Sequence, residues 1–130
     1  MPPVTTIDEL LADARARLDR VTPSLAAARL HDGDHVLLVD LRLAEQRQLD
    51  GEIPGATVIA LNHLEWRVDP TSSTRIDAAR DHDVEIILLC DEGYCSSLAA
   101  ARLHDLGLRR ATDVIGGFRA WRAAGLPVET

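Results

Sequence analysis

Ile86-Ile87-Leu88-Leu89 is an unbroken succession of branched aliphatic residues, so a strand formed by it carries apolar side chains on both faces. A strand lying half in water would alternate apolar with polar residues. A doubly apolar strand needs helices packed above and below it, which is the arrangement of a parallel sheet joined by helical crossovers. Val36-Leu37-Leu38-Val39 is a second run of this kind.

The rest of the chain supplies the helices. Thr6-Ile7-Asp8-Glu9 reads as a capping box, and Ile7, Leu10, Leu11, Ala14 and Leu18 follow at helical spacing, predicting a helix to about Asp19. Thr22-Pro23 is an N-cap followed by a first-turn proline and opens a second helix that closes near Gly33. A short helix is expected over Leu43 to Leu49, stopped by Gly51, and Ile53-Pro54-Gly55 turns the chain into a strand at Thr57 to Ile59. Helical pieces are expected around Leu64-Glu65-Trp66 and from Ile76 to Arg80, separated by Pro70 and Thr71-Ser72-Ser73. Ser96 to Leu106 forms the next helix, Gly107 ends it, Thr112 to Ile115 is a strand, and Phe118 to Ala124 a last helix. The alternation predicts an α/β fold with a mainly parallel central sheet, and ligands of such sheets sit beyond the carboxyl ends of the strands.

Leu89 delivers Cys90 to that end. The segment Cys90-Asp91-Glu92-Gly93-Tyr94-Cys95-Ser96-Ser97 is a short glycine-containing loop that opens a helix. Backbone N–H groups of such a loop converge on one spot, and the helix dipole adds partial positive charge there, so a thiolate or an anionic adduct on Cys90 is stabilised. An isolated cysteine ending a core strand is more often an inert apolar residue. The flanking sequence decides between the two.

Composition narrows the function. The chain of 130 residues suits one domain and holds no apolar stretch near the ~20 residues needed to span a bilayer. A net charge of -7 opposes nonspecific binding to nucleic acid or anionic membrane, both of which need a positive field. All 14 basic residues are arginine, a bias typical of a GC-rich bacterial genome. Residues 1–10 have neither a basic start nor an apolar run, so a cytoplasmic location is expected. Two cysteines five positions apart form no disulfide framework, and His31, His35, His63, His82 and His104 lack ligand spacing, so neither a metal nor another cofactor is expected.

Four motifs together resemble the rhodanese-like domain, the fold of sulfurtransferases and of their non-catalytic and phosphatase relatives. Val36 to Arg42 resembles the first core strand with its Asp-x-Arg ending, and Gly51-Glu52-Ile53-Pro54-Gly55-Ala56 is similar to the family's Gly-His-Ile-Pro-Gly-Ala turn, with Glu52 in place of histidine. Cys90-x-x-Gly93-x-Cys95-Ser96 is similar to the active-site loop Cys-x-x-Gly-x-Arg-Ser/Thr, and Gly116-Gly117-Phe118-x-Ala120-Trp121 with Gly125-Leu126-Pro127-Val128 matches the C-terminal signature. The resemblance implies a three-layer α/β fold with extra N-terminal helices: residues 1–21 as a helical extension packed on the domain, and 22–130 as the domain itself.

It also implies the roles. Cys90 would be the nucleophile that takes up a sulfane sulfur as a persulfide and passes it to a thiol or protein acceptor. Asp91, Glu92, Gly93, Tyr94, Cys95 and Ser96 would form the substrate-binding loop. Ser96 and Ser97 would donate into the loop or cap the helix, capping being the more common use. Asp40 and Arg42 would brace the neighbouring strand and turn, with Arg42 also pairing with Glu45, and Phe118 and Trp121 would sit in the core. The departures shape the chemistry: Cys95 stands where the family has arginine, and Asp91 and Glu92 should repel an anionic donor and raise the thiol pKa. Poor use of thiosulfate follows, with a neutral or protein-borne persulfide donor preferred. Cys95 could instead resolve a Cys90 persulfide to a disulfide, and a loop without its arginine also suits a non-catalytic binding or regulatory module. A phosphatase is disfavoured, because the longer Cys-x5-Arg loop would place Ser96 where arginine is needed.

Overall fold

The structure, a computed structural model, describes residues 5–130. In chain order it comprises α1 (Ile7–Ala16), α2 (Pro23–Asp32), β1 (Val36–Asp40), α3 (Ala44–Asp50), β2 (Thr57–Val58), a 3-10 turn (Leu61–His63), α4 (Leu64–Val68), β3 (Glu85–Leu89), α5 (Cys95–Asp105), β4 (Thr112–Asp113) and α6 (Gly117–Ala123). The four strands form one parallel sheet in the order β2-β1-β3-β4, with Val36 to Asp40 in register with Glu85 to Leu89.

Side-chain alternation along the two central strands divides the core into two layers. Leu37, Val39, Ile86, Leu88 and Cys90 face one side, where they pack with Leu18, with Leu64 and Val68 of α4, and with Ala99, Ala100 and Leu103 of α5. Leu38, Ile87 and Leu89 face the other, against Ala26 of α2, Ile53, Val114, and Phe118 and Trp121 of α6. Every residue of β3 is buried, as the doubly apolar run requires. Cys90 continues the Ile86–Leu88 parity and therefore points toward the α5 layer. Phe118 and Trp121 are core residues, the indole N–H donating to Pro127 O at 2.9 Å.

The N-caps stand where the sequence places them: Thr6 accepts from Glu9 N, and Thr22 from Leu25 N with Pro23 in the first turn. Two expectations are corrected. The first helix stops at Ala16 rather than near Asp19, because Leu18 turns into the core and Val21 joins the sheet, its N–H donating to Asp113 O and its carbonyl accepting from Ile115 N. Ile76 to Arg80 forms turns instead of a helix. The stretch is about one turn long, too short to offset helix nucleation, and buried Ala79 anchors it to the core.

The carboxyl end of β3 is tied to α6 rather than left free. Phe118 N donates to Cys90 O at 2.8 Å and Arg119 N to Asp91 O at 3.1 Å. This close approach requires glycine at position 117, where φ is +60° and a Cβ would lie 2.4 Å from Cys90 O. Gly117→Ala is therefore expected to cost roughly 2–4 kcal/mol in urea unfolding, combining backbone strain with a clash against main chain.

Candidate active site

Cys90 lies at the floor of a cleft of about 850 Å³ between the loop it begins and the segments after β1 and β2. Leu41, Leu43, Val58, Ala60 and Leu61 make much of its wall. Asp91, Glu92, Tyr94 and Cys95 face the cleft beside Cys90, whereas Gly93 and Ser96 are buried behind the sulfur.

The sulfur is ringed by donors. Gly93 N donates to Cys90 Sγ at 3.1 Å, in a left-handed conformation, φ +88°, that glycine adopts freely. Ser96 Oγ is 3.2 Å from Sγ. The Cys90 thiol is held down to about 5, chiefly by the Cys95 S–H beside it, with the Ser96 and Gly93 amides adding to this against the opposing effect of burial. The Cys95 thiol is pushed up by the same contact, so the shared proton rests on Cys95. Two sequence expectations are corrected. Cys90 is acidified, as the loop amides predict, and the raising effect expected of Asp91 and Glu92 does not prevail. Its acidic neighbour is offset too: Asp91 Oδ2 accepts from Arg119 Nε at 3.0 Å.

A pH dependence of stability follows from the lowered thiol. Between about 5 and the ordinary value of 9.0, the unfolded chain keeps a proton on Cys90 that the folded chain has released. Stability thus rises with pH across this window and the contribution is lost as pH falls through 5. Urea midpoints of the wild type relative to Cys90→Ser should diverge upward from pH 5 to pH 9.

Ser96 and Ser97 do not cap α5. The N-cap position is Tyr94, with no side-chain cap bond, and both hydroxyls donate to Asp113 Oδ2 at 2.7 Å. Asp113 is fully buried and forms a two-bond pair with Arg20, Nε to Oδ1 at 2.8 Å and Nη2 to Oδ2 at 3.2 Å. Arg15 of α1 reaches the same place, with Nε donating to Ser97 Oγ at 3.1 Å and Nη2 to Gly93 O at 2.8 Å. Sequence reading missed Arg15, Arg20 and Asp113. A carboxylate inside a buried β-strand was the available signal, since such a group demands a cationic partner.

Asp40 and Arg42 form a buried ion pair that clamps the end of β1, Arg42 Nη2 reaching Asp40 Oδ2 at 2.8 Å and Gly51 O at 2.9 Å, with the guanidinium carbon 3.8 Å from the centre of the Phe118 ring. The expected Arg42–Glu45 pair is absent, since the guanidinium is already held by Asp40. Glu52 pairs with Arg47 and exchanges two main-chain hydrogen bonds with Glu129, tying the turn to the C-terminal segment.

The strand-end cysteine, the curled loop and the parallel sheet find their counterpart in the family model described as a rhodanese-like domain, which matches residues 22–124. The chain belongs to the rhodanese-like domain family. A protein named Sulfurtransferase from Allochromatium vinosum is 35% identical over 101 residues, covering 77% of this chain and 84% of the relative. Thiosulfate sulfurtransferase GlpE of Vibrio cholerae is 29% identical over 103 residues, covering 74% and 97%. Among solved structures, a Rhodopseudomonas palustris protein of unknown function, described as a possible tyrosine phosphatase, superposes with a TM-score of 0.85 at 32% identity over 99% of both chains. In this rhodanese-like domain α2 falls inside the family-matched segment, while α1 and Arg20 precede it. Among the described residues, no helix is long and apolar enough to cross a membrane.

Proposed function

We propose that the protein is a sulfurtransferase in which Cys90 carries sulfane sulfur as a persulfide. The observation behind this reading is a sulfur at the floor of an open cleft, with the Gly93 N–H donating to it at 3.1 Å and its thiol pKa lowered by its surroundings. The Cys90 thiolate attacks the sulfane sulfur of a donor R–S–SH. The donor S–S bond breaks, RS⁻ leaves, and Cys90 holds the transferred sulfur. An acceptor thiolate then attacks that terminal sulfur, the new S–S bond forms on the acceptor, and the Cys90 thiolate is regenerated. The loop formed by Asp91 to Ser96 shapes the approach, with the Gly93 and Ser96 amides donating from behind. Two free thiols suit a reducing compartment such as the cytoplasm.

The cleft favours a neutral persulfide donor and a thiol or protein acceptor over thiosulfate. Its wall is largely aliphatic, and both arginines that line it are engaged: Arg42 with Asp40 and Gly51, and Arg47 with Glu52. Glu92 stands exposed beside Cys90 and has no ion-pair partner among the described residues. An oxyanion would meet apolar surface and a carboxylate where it needs a cation, at a cost on the order of 1.5–3 kcal/mol for the missing charged hydrogen bond. The same lack disfavours the phosphoryl chemistry suggested for the Rhodopseudomonas protein. We also take residues 1–21 as an extension packed on the domain formed by 22–130, since α1 rests on α5; residues 1–4 of that extension lie outside the described residues.

Steady-state assays with cysteine persulfide, thiosulfate and p-nitrophenyl phosphate test this reading. Turnover with cysteine persulfide should exceed that with thiosulfate by about tenfold or more, as expected for one missing guanidinium contact, and vanish in Cys90→Ser. Phosphate release in place of sulfur transfer would overturn it. Inactivity with all three would favour the binding or regulatory module.

A further inference from the structure

The loop sequence from Cys90 to Ser97 contains no cation, yet two guanidinium groups are built against it from elsewhere. Arg15 lies in the last turn of α1 and Arg20 in the short connection that follows. Their Nη2 atoms converge on one acceptor, Gly93 O, at 2.8 and 3.3 Å. Gly93 is also the residue whose N–H donates to Cys90 Sγ. Its amide is thus committed to the sulfur and its carbonyl to the two arginines, which together fix φ and ψ at the most flexible residue of the loop.

We infer that Arg15 and Arg20 are positioning residues for the Cys90 thiolate, supplying from α1 and its C-terminal connection the cationic bracing that the loop lacks where Cys95 stands. They act through two routes. Pinning Gly93 O keeps the Gly93 N–H on the sulfur, so the donor needs no reorganisation when charge develops. Arg20 also neutralises Asp113, which would otherwise place an uncompensated carboxylate one hydroxyl away from Cys90 through Ser96. Arg15 further holds Ser97 Oγ and lies with its guanidinium carbon 5.7 Å from the Tyr94 ring centre, so it contacts three residues of the segment, Gly93, Tyr94 and Ser97. The arrangement belongs to the whole chain: the family-matched segment begins at residue 22, whereas the Rhodopseudomonas structure shares 99% of the chain and so includes α1.

The groups that bear on the Cys90 charge come from every side. Cys95 belongs to α5, Asp113 to β4, Asp91 and Glu92 to the loop, Arg119 to α6, Arg42 to the segment after β1, and Arg15 and Arg20 to the N-terminal segment. The two proposed residues are cations, so their removal has a defined sign: the thiol pKa rises. The inference rests on Cys90 being a reactive thiolate and is independent of what the thiolate carries.

The test is the pH profile of Cys90 alkylation by iodoacetamide, read by peptide mass, on the full chain as wild type, Arg15→Gln, Arg20→Gln, Arg20→Lys and the Arg15→Gln/Arg20→Gln double variant. The double variant should move the midpoint up by about one unit, lowering the rate near pH 5 by roughly five- to tenfold. Arg20→Lys keeps the charge on Asp113 and should recover most of the Arg20→Gln loss. Arg17→Gln is the control, because Arg17 also sits at the end of α1 but pairs with exposed Asp105 and touches no loop atom; its profile should match the wild type. An unmoved midpoint in the double variant overturns the inference, as does an equal shift in Arg17→Gln. If the double variant does not fold, Arg15→Gln, which leaves the Arg20–Asp113 pair intact, decides the matter. An upward midpoint shift that lowers the rate near pH 5 by about threefold supports the inference, and no shift overturns it.

Discussion

Cys95→Ala is expected to raise the Cys90 pKa by on the order of one to two units, and with it to cut the thiolate present near pH 5 by about 5- to 50-fold. The Cys95 S–H is the largest contributor to the acidity of Cys90, and alanine offers nothing in its place. Alkylation rates across pH 4–9 measure this directly. Cys95→Ser retains a hydroxyl donor and should fall between alanine and the wild type. A wild-type profile in Cys95→Ala would show that the loop amides and Ser96 alone hold the thiolate. The same contact bears on the resolving role considered for Cys95. A thiol that keeps the shared proton is a weak nucleophile toward a neighbouring persulfide, so donation to Cys90 and attack on its adduct compete for one sulfur. We therefore favour the donor role.

Asp113→Ala is expected to destabilise the fold by about 3–5 kcal/mol, the usual cost of removing one partner from a buried pair and leaving the other unmatched. Arg20 would lose both carboxylate bonds while only 16% of its side chain is exposed, and the Ser96 and Ser97 hydroxyls would lose the acceptor they share. Asp113→Asn keeps an acceptor for one hydroxyl and should lose less. Urea unfolding gives the ordering wild type, asparagine, alanine. A loss below about 1 kcal/mol in Asp113→Ala would mean that water replaces the carboxylate, contrary to the burial of this site.

Much of the fold was legible because its determinants are local. Two aliphatic runs specify the central strands, Thr6 and Thr22 cap the first two helices by contacts three residues away, and Gly51 and Gly107 stop helices with positive φ. The position of Cys90 at a strand end, with a glycine three residues on, was legible for the same reason. What the sequence did not show is long-range. Arg15 and Arg20 meet Gly93 across 78 and 73 residues, and Arg20 meets Asp113 across 93, separations at which no periodicity or spacing rule operates. The roles of Ser96 and Ser97 were misjudged for this reason, since helix capping is the local option and buried Asp113 the distant one. The acidity of Cys90 was legible in part: the converging loop amides predict it, but its largest contributor, the Cys95 thiol, was read only as a replacement for arginine and as a resolving thiol.

The central claim is that Cys90 carries sulfur, and the intact mass of the reduced protein after incubation with cysteine persulfide and removal of excess donor tests it most directly. The account predicts a gain of about 32 daltons, the mass of one sulfur, in the wild type and in Cys95→Ser, and no gain in Cys90→Ser. An unchanged wild-type mass, or a gain that survives in Cys90→Ser, would contradict it.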